Sequence, residues 1–300
     1  MDRLQTLEIF VCVAECGSFT GAAERLRLPR STVSAAVQSL EARLQTRLIQ
    51  RTTRRMQLTG DGVAYFDWCR RLLADIEETE QRLMQGQSRP HGRLRVDVPG
   101  RIGRLIIAPA LPEFLARYPD IELELGVSDR PVDLVHEGVD CAIRVGTLSD
   151  PALIAHPIGP LRVGTFASPA YLARHGTPNT PDELSGHHAV RYAVPVSGPA
   201  DDWEGLVDGQ PVSIALGGSI TVNCAESYIA CCIAGLGLIQ IPAYDARSHL
   251  ARGELSEILT AFAPPPLAMT ALYPQRRYLS RRVTAFVEWM EALYRQQMAG

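Results

Sequence analysis

The chain has 300 residues, of which 46% are hydrophobic and 21% charged, and its net charge is −3 at neutral pH. These values are typical of a soluble globular protein with about two domains. No apolar run reaches the ~18 residues that a membrane span needs, and glycines and a proline interrupt the most apolar stretch, residues 230–243. The N-terminus lacks the pattern of a secretion signal, so we expect a cytoplasmic protein.

The basic residues and the cysteines exclude several kinds of site. All thirty basic residues are arginine, which excludes a phosphate-binding P-loop lysine and a Schiff-base lysine. The seven cysteines include no CxxC pair, and no cysteine–histidine set has the spacing of zinc ligands. We therefore expect reduced, buried thiols, and we predict neither a metal nor a cofactor.

Residues 18–59 form the stretch around which the chain is organised. Ser18 is placed to cap a short helix, and Pro29 marks the entry to a second helix. That second helix has one apolar stripe, made by Val33, Val37, Leu40 and Leu44. Ala23 is small where two helices must approach closely, and Val33 follows ten residues later. This spacing predicts a helix-turn-helix whose second helix enters the major groove of DNA.

The polar face of the second helix carries the candidate DNA-reading residues. They are short or hydrogen-bonding side chains near its N-terminus, namely Arg30, Ser31, Thr32, Ser34, Ala35 and Gln38. Residues 25–55 contain eight arginines and one acid, Glu41, so the positive charge is local in a chain that is acidic overall. The alternative is a small helical domain whose arginines form a solvated face.

The segments on either side complete a DNA-binding domain over residues 1–59. Residues 2–15 predict a helix that packs beneath the other two. Residues 45–58 lose the helical period and favour a β-hairpin, or wing, whose Arg51, Arg54 and Arg55 lie along the phosphate backbone. The alternative for this segment is a disordered basic loop.

A long helix is predicted from residue 60 to about residue 87. Phe66, Cys69, Leu73 and Ile76 follow a three–four spacing, and Cys69, Ile76 and Leu83 are seven residues apart, as in a coiled-coil seam. Since a lone helix of this length has no partner of its own, we expect residues 60–88 to pair with a second copy of the chain. Residues 89–92 then predict a hinge.

Strands and helices alternate from residue 93 to the C-terminus, which indicates an α/β domain with a mainly parallel sheet. Strands are predicted at residues 94–98, 121–127, 141–145, 162–166, 189–193, 212–214, 237–242 and 267–273. Helices are predicted at residues 103–118, 131–137 and 225–234, with a last helix capped by Ser280.

The chain resembles the LysR-type transcriptional regulators. In the N-terminal part the resemblance rests on Phe10, Gly17-Ser18-Phe19-Thr20, Ala22-Ala23, Leu26, Ser31-Thr32-Val33-Ser34, Leu40-Glu41, Leu44, Arg47-Leu48, Arg51 and Leu58-Thr59. In the C-terminal part it rests on Asn223, Gly235-Leu236-Gly237, Pro242, Tyr273-Pro274, Arg277, Leu279-Ser280 and Phe286-Val287. Ala35 and Pro29 depart from the family pattern, at a basic or amide position and at a helix cap respectively.

This resemblance implies a winged helix-turn-helix, a dimerising linker helix and a two-lobed effector domain similar in fold to periplasmic solute-binding proteins. The first lobe would comprise residues 93–162 and 267–300, and the second lobe residues 163–266. The implied partners are double-stranded DNA, a small-molecule effector, further copies of the chain in a homodimer or homotetramer, and RNA polymerase if the protein activates transcription.

An effector is expected beyond the carboxyl ends of the strands, where helices begin. The candidate effector-binding residues are Gly100, Arg101, Ser128, Arg144, Thr165, Asn223 and Cys224. Because Arg101 and Arg144 suit a carboxylate, we expect a small organic acid. The alternatives are that Arg101 is a solvated rim residue and that Arg144 pairs with an acid such as Asp140 or Asp129. A further hypothesis makes Cys224 a redox-sensitive thiol at a helix N-terminus.

The competing hypothesis is an enzyme or a solute-binding module in which residues 1–90 only mediate assembly. The chain lacks GxSxG, HExxH, GxGxxG and P-loop motifs, and it shows no export signal. We therefore predict a DNA-binding regulator that is controlled by a metabolite and is not an enzyme.

Overall fold

A computed structural model describes most of the chain and divides it into two compact units. The described residues are 2–51, 56–84, 89–130, 132–134, 137–146, 153–193, 202–274 and 279–298. The first unit spans Met1–Arg89 and the second spans Pro90–Gly300.

The first unit is mainly helical. In chain order its elements are α1 (Arg3–Cys16), α2 (Phe19–Leu26), α3 (Arg30–Leu44), β1 (Ile49–Arg51), β2 (Met56–Leu58) and α4 (Gly60–Met84). The two strands pair antiparallel, and Ile49 lies opposite Leu58. The predicted hairpin is therefore confirmed, whereas Arg54 and Arg55 fall outside the described residues.

The helix ends follow the local chemistry of the sequence. The Ser18 hydroxyl accepts the backbone N–H of Gly21 at 3.3 Å, so the predicted cap of α2 is confirmed. Helix α3 begins at Arg30, and its N-cap residue, Pro29, supplies no side-chain hydrogen bond. Gln45 ends α3 in the left-handed conformation, with φ of 53°.

One apolar core holds the first unit together, and it includes the long helix α4. Phe10 of α1, Val33 and Val37 of α3, and Cys69 of α4 are all fully buried in this core. The expectation that the long helix lacks a partner within its own chain is therefore wrong for its first half. Leu44, the last member of the predicted stripe, is 37% exposed, so the buried stripe ends at Leu40.

The second unit contains mixed sheets between helices. Its strands are β3 (Gly92–Val98), β4 (Ile121–Val127), β5 (Cys141–Val145), β6 (Leu153–Leu161), β7 (Val163–Ala167), β8 (Arg191–Tyr192), β9 (Trp203–Val207), β10 (Gln210–Ile214), β11 (Thr221–Val222), β12 (Ile239–Pro242), β13 (Ser256–Ile258) and β14 (Leu267–Pro274). Its helices are α5 (Gly100–Ile102), α6 (Ala108–Arg117), α7 (Pro169–His175), α8 (Ala225–Ile233), α9 (Ala243–Ala251) and α10 (Arg281–Gln297).

The strand directions correct the prediction of a mainly parallel sheet. Among the described residues, the largest sheet has the order β4-β3-β5-β14-β6. Strand β3 is parallel to β4 and β5, but β14 runs antiparallel to both β5 and β6. A second sheet, β12-β7-β13, is antiparallel throughout. The unit is therefore α/β with mixed sheets, because the C-terminal strand returns in the opposite direction.

Two helical predictions also change. The helix predicted from residue 103 begins at Gly100, and a π-helical segment, Gly103–Ile107, joins α5 to α6. Where residues 131–137 predicted a short helix, residues 132–134 and 137 carry no helix assignment, although the Glu137 N–H bonds to Asp133 as in one helical turn. The last helix, α10, begins as predicted, with the Ser280 hydroxyl accepting the N–H of Val283 at 3.3 Å.

Candidate nucleic-acid interface and ligand site

The front half of α3 turns its predicted DNA-reading side chains to solvent. Val33, Val37 and Leu40 bury the opposite side of the helix in the core. Four of the predicted residues are exposed and two are half-buried; the exposed ones are Arg30, Ser31, Ala35 and Gln38, and the half-buried ones are Thr32 and Ser34. Burial of the apolar stripe therefore leaves these six residues exposed or half-buried at the front of α3, and their contact with base edges stays a prediction.

Exposed arginines lie before and after the front of α3 in the sequence, and Glu41, the one acid of residues 25–55, is bonded to the backbone. The side chains of Arg27, Arg43 and Arg47 are exposed. Arg25 differs, because it forms an ion pair with Glu15 at 3.1 Å. Glu41 accepts two backbone N–H groups with its carboxylate, so it does not pair with an arginine through those bonds. The charge is thus arranged for phosphate neutralisation.

In the second unit, Asp129 connects two helix N-termini. Its Oδ1 accepts the N–H of Gly100 at 2.8 Å, and its Oδ2 accepts the N–H of Ala225 at 2.9 Å. Gly100 begins α5, and Ala225 begins α8. Asp129 therefore brings together the strand-end segments that contain the predicted residues Gly100, Asn223 and Cys224. Its carboxylate thus accepts the first backbone N–H group of each of these two helices.

Arg101 lies beside this junction and is engaged by acids of its own chain. Its Nε donates to Asp245 Oδ1 at 2.8 Å, and its Nη1 donates to Glu226 Oε2 at 2.8 Å. The arginine is 3% exposed, so the alternative of a solvated rim residue is wrong. Burial alone would lower the pKa of Arg101, but the carboxylates of Asp245 and Glu226 raise it, and the guanidinium stays charged. Arg104 also pairs with Glu226 at 2.8 Å, although both side chains are largely exposed.

Arg144 is paired, but with a residue that the sequence did not indicate. Its Nη2 donates to Asp97 Oδ1 at 2.5 Å, and its Nη1 donates to the Ile143 carbonyl at 2.7 Å. The alternative that Arg144 pairs with an acid of its own chain is therefore confirmed, and the acid is Asp97, where Asp140 or Asp129 was suggested. Asp97 lies on β3 next to β5, which carries Arg144, and its side chain is 8% exposed. This pair satisfies a buried carboxylate within the sheet.

The remaining predicted ligand residues lie in different surroundings. Thr165 is buried, and its hydroxyl oxygen accepts the Trp203 indole N–H at 3.0 Å and the Gln240 amide at 3.1 Å. Ser128 accepts the N–H of Arg130. Asn223 is exposed, while Cys224 is half-buried and precedes α8 without a side-chain cap. These contacts tie Thr165 to β12 of its own sheet and to β9 of another sheet. Its role in ligand binding stays a prediction, as do those of the other six.

The residues that the sequence reasoning missed are acids on distant parts of the chain. Asp245 and Glu226 lie in the first turns of α9 and α8, where they meet Arg101. Arg101 and Asp245 are 144 positions apart, so no local pattern links them. Within the described ranges, no group of three potential ligands is arranged to hold a metal ion. No described helix is long and apolar enough to cross a membrane.

A winged helix-turn-helix unit in the same chain as an α/β unit with mixed sheets is typical of ligand-responsive DNA-binding proteins. Comparison with protein families gives two matches. Residues 4–63 match the bacterial regulatory helix-turn-helix protein of the lysR family, and residues 87–295 match the LysR substrate binding domain. The chain belongs to the LysR family of transcriptional regulators.

Individual relatives extend over nearly the whole chain. YhjC, an HTH-type transcriptional regulator of Escherichia coli, is 40% identical over 99% of this chain and 100% of its own length. An HTH-type transcriptional repressor of Pseudomonas aeruginosa is 38% identical over 98% of this chain and 93% of its length. The solved structure of CrgA, a LysR-type regulator from Neisseria meningitidis, has a TM-score of 0.59 and 32% identity, covering 96% of this chain and 97% of that one. The chain is therefore a transcriptional regulator with a helix-turn-helix DNA-binding domain and an effector-binding domain.

Proposed function

We propose that the chain reads an operator with α3 in the major groove and holds the adjacent backbone with the β1–β2 wing. The observation that carries this proposal is the solvent-facing set at the front of α3. The residues that contact base edges and nearby phosphates are Arg30, Ser31, Thr32, Ser34, Ala35 and Gln38. The wing residues Arg51, Arg54 and Arg55 contact phosphates on the flanking duplex.

We propose further that residues 60–88 dimerise the protein, so that two recognition helices meet a two-fold operator. The buried Cys69 belongs to the core of its own unit, whereas Val63 and Trp68 of α4 are 48% and 44% exposed within that unit. An apolar side chain left exposed on a helix is a candidate for burial against a second copy. Further pairing of dimers would give a tetramer. Where the protein activates a promoter, RNA polymerase is the additional partner, and the site of action is the cytoplasm.

The proposed effector is a small organic acid bound between two lobes, which comprise residues 93–162 with 267–300 and residues 163–266. The charges at the Asp129 junction shape this proposal. The guanidinium groups of Arg101 and Arg104 pair with the carboxylates of Glu226 and Asp245, and the carboxylate of Asp129 accepts the N–H groups of Gly100 and Ala225 nearby. A further carboxylate would be repelled unless it replaced one that is already there. An acid effector therefore exchanges with a carboxylate of the chain and alters the contacts between the lobes, which links its binding to DNA geometry.

Thermal unfolding with a panel of small carboxylates tests this exchange. In Asp129→Ala the backbone N–H groups of Gly100 and Ala225 lose their acceptor. We expect an acid that stabilises the wild-type protein to stabilise this variant by a larger increment, because it no longer competes with Asp129. Equal increments in both proteins would place the effector away from Asp129.

Selection from a random-sequence duplex library tests the DNA-binding proposal. We expect recovered sequences with two related half-sites, because a dimer of α3 helices contacts the duplex twice. Recovery of a single unrepeated half-site would contradict the paired arrangement. Recovery of no preferred sequence would favour the competing hypothesis in which the first unit only mediates assembly.

A further inference from the structure

Glu41 has an unusual place on the basic face of the first unit. It is the one acid between residues 25 and 55, where eight arginines lie. Its Oε1 accepts the backbone N–H of Leu48 at 2.8 Å and that of Ile49 at 2.9 Å. Leu48 and Ile49 are 1% and 4% exposed, so these donors have little access to water. One carboxylate oxygen near the end of α3 therefore satisfies the two donors at the root of the wing.

The same root is held from the side of α4. The Thr59 hydroxyl donates to the Arg47 carbonyl at 2.7 Å and accepts the N–H of Gly62 at 2.9 Å. The Thr59 N–H donates to the Leu48 carbonyl at 3.0 Å. A Cβ atom on Gly62 would lie 2.0 Å from that carbonyl oxygen, so the close approach requires glycine. The wing thus begins between the end of α3 and the start of α4.

The wing needs this support because it is a hairpin of two strands. Among the described residues, the strands pair from Ile49 with Leu58 to Arg51 with Met56. A two-stranded hairpin is marginally stable by itself, so the direction in which it leaves the domain depends on its root. Ile49 is the first paired residue of β1, and its backbone N–H donates to the carboxylate of Glu41.

We propose that Glu41 is a positioning residue for DNA binding. It touches no DNA; it sets the direction of the wing relative to α3, and thereby the place at which the wing arginines meet the phosphate backbone. The inference rests on the proposed role of the wing. It also opposes the simple electrostatic expectation, in which an acid on a DNA-binding face only weakens binding.

Two conservative substitutions separate geometry from charge. Glu41→Gln keeps the length of the side chain and a carbonyl acceptor but removes the charge. Glu41→Asp keeps the charge but is shorter by one methylene and cannot reach both N–H groups as before. Glu24→Gln is the matched control, since Glu24 is an exposed acid on α2. Full-length proteins are titrated into a short random-sequence duplex over a range of salt concentrations.

The slope of the logarithm of affinity against the logarithm of salt concentration counts phosphate contacts, with about 0.9 for each contact on duplex DNA. We expect Glu41→Asp to weaken binding and to reduce this slope by about one to two, as wing contacts are lost. We expect Glu41→Gln to keep the wild-type slope. A destabilised but correctly arranged domain would lose active protein without changing the slope, so the slope distinguishes positioning from folding.

The proposal is overturned if Glu41→Asp has the wild-type slope and affinity, or if it binds the duplex with more phosphate contacts than the wild-type protein. It is also overturned if Glu41→Gln strengthens binding as much as Glu24→Gln does while Glu41→Asp is unchanged, because charge alone would then explain both. Failure of the wild-type protein to bind any duplex would instead refute the proposed function.

Discussion

Replacing Arg101 by methionine should destabilise the second unit strongly. Arg101 is 3% exposed and Asp245 is 4% exposed, and the pair is joined at 2.8 Å. Removing one member of a buried ion pair leaves the other charge without compensation, which costs about 3–5 kcal/mol. For a unit of this size 1 kcal/mol corresponds to about 2–4 °C in melting temperature, so we expect a decrease of about 6–20 °C.

Arg104→Met is the matched control for this experiment. Arg104 pairs with Glu226 at the same 2.8 Å, but its side chain is 59% exposed and that of Glu226 is 47% exposed. An ion pair between exposed groups contributes about 0–1 kcal/mol, because water screens the charges. Differential scanning calorimetry of the full-length variants measures both effects. The double variant Arg101→Met, Asp245→Leu should recover much of the lost stability, since no buried charge is left unpaired.

The same small decrease in melting temperature for Arg101→Met and Arg104→Met would contradict a stabilising buried ion pair at Arg101. That result would mean that the environment of Arg101 in solution is as hydrated as that of Arg104. A double variant that is as unstable as Arg101→Met would show that Arg101 stabilises the unit through its packing. The unpaired charge of Asp245 would then not explain the destabilisation.

Three further outcomes are expected. Gly62→Ala should destabilise the first unit by several times the ~1 kcal/mol of an ordinary substitution, as measured by urea unfolding, because its Cβ would overlap the Leu48 carbonyl. Burial and two neighbouring histidines lower the pKa of His187 below its usual value of 6.5. The unfolded chain therefore binds a proton at this histidine before the folded chain does, and stability falls as the pH drops below 6.5. His187→Asn should flatten the pH dependence of the urea midpoint. Arg54→Ala should weaken binding to all duplexes alike, whereas Thr32→Ala should change the order of preferred sequences in a competition assay; a changed order for Arg54→Ala would refute its backbone role.

Features determined by neighbouring residues could be predicted from the sequence. The caps at Ser18 and Ser280 follow from a hydroxyl placed three residues before the N–H that it accepts. The apolar spacing of α3 likewise predicts which side of that helix is buried. The wing was predicted from the change in period after α3, and its strands are present.

Some missed elements did have a signal in the sequence. Strand β9 was missed, whereas β10 contains the strand predicted at residues 212–214. The two strands are joined by Asp208-Gly209, and both residues have positive φ, at 51° and 75°. An Asp-Gly pair between two apolar segments is a strong hairpin signal that the prediction did not use. Strand β6 was missed because it contains Pro157 and Pro160, which disfavour a central strand but are tolerated at the edge of the sheet, where β6 lies.

Other features depend on contacts that no local pattern encodes. Strand β14 follows β5 by more than a hundred residues in the sequence and pairs with it antiparallel. The order of the elements does not reveal this direction. The partners of Arg101 come from α8 and α9, and Arg144 pairs with Asp97 of an adjacent strand. Candidate ligand residues could therefore be located at strand ends, but the acids that already engage them could not.

Binding of the full-length protein to the DNA upstream of its own gene tests the central claim most directly. Fluorescence anisotropy compares that duplex with a scrambled duplex of equal length and composition over a range of salt concentrations. We predict that the protein binds the upstream duplex at least about a thousandfold more tightly than the scrambled one, with both affinities falling steeply as salt rises. Equal affinity for the two duplexes, or binding that does not respond to salt, would contradict a sequence-specific regulator that holds DNA through its arginines.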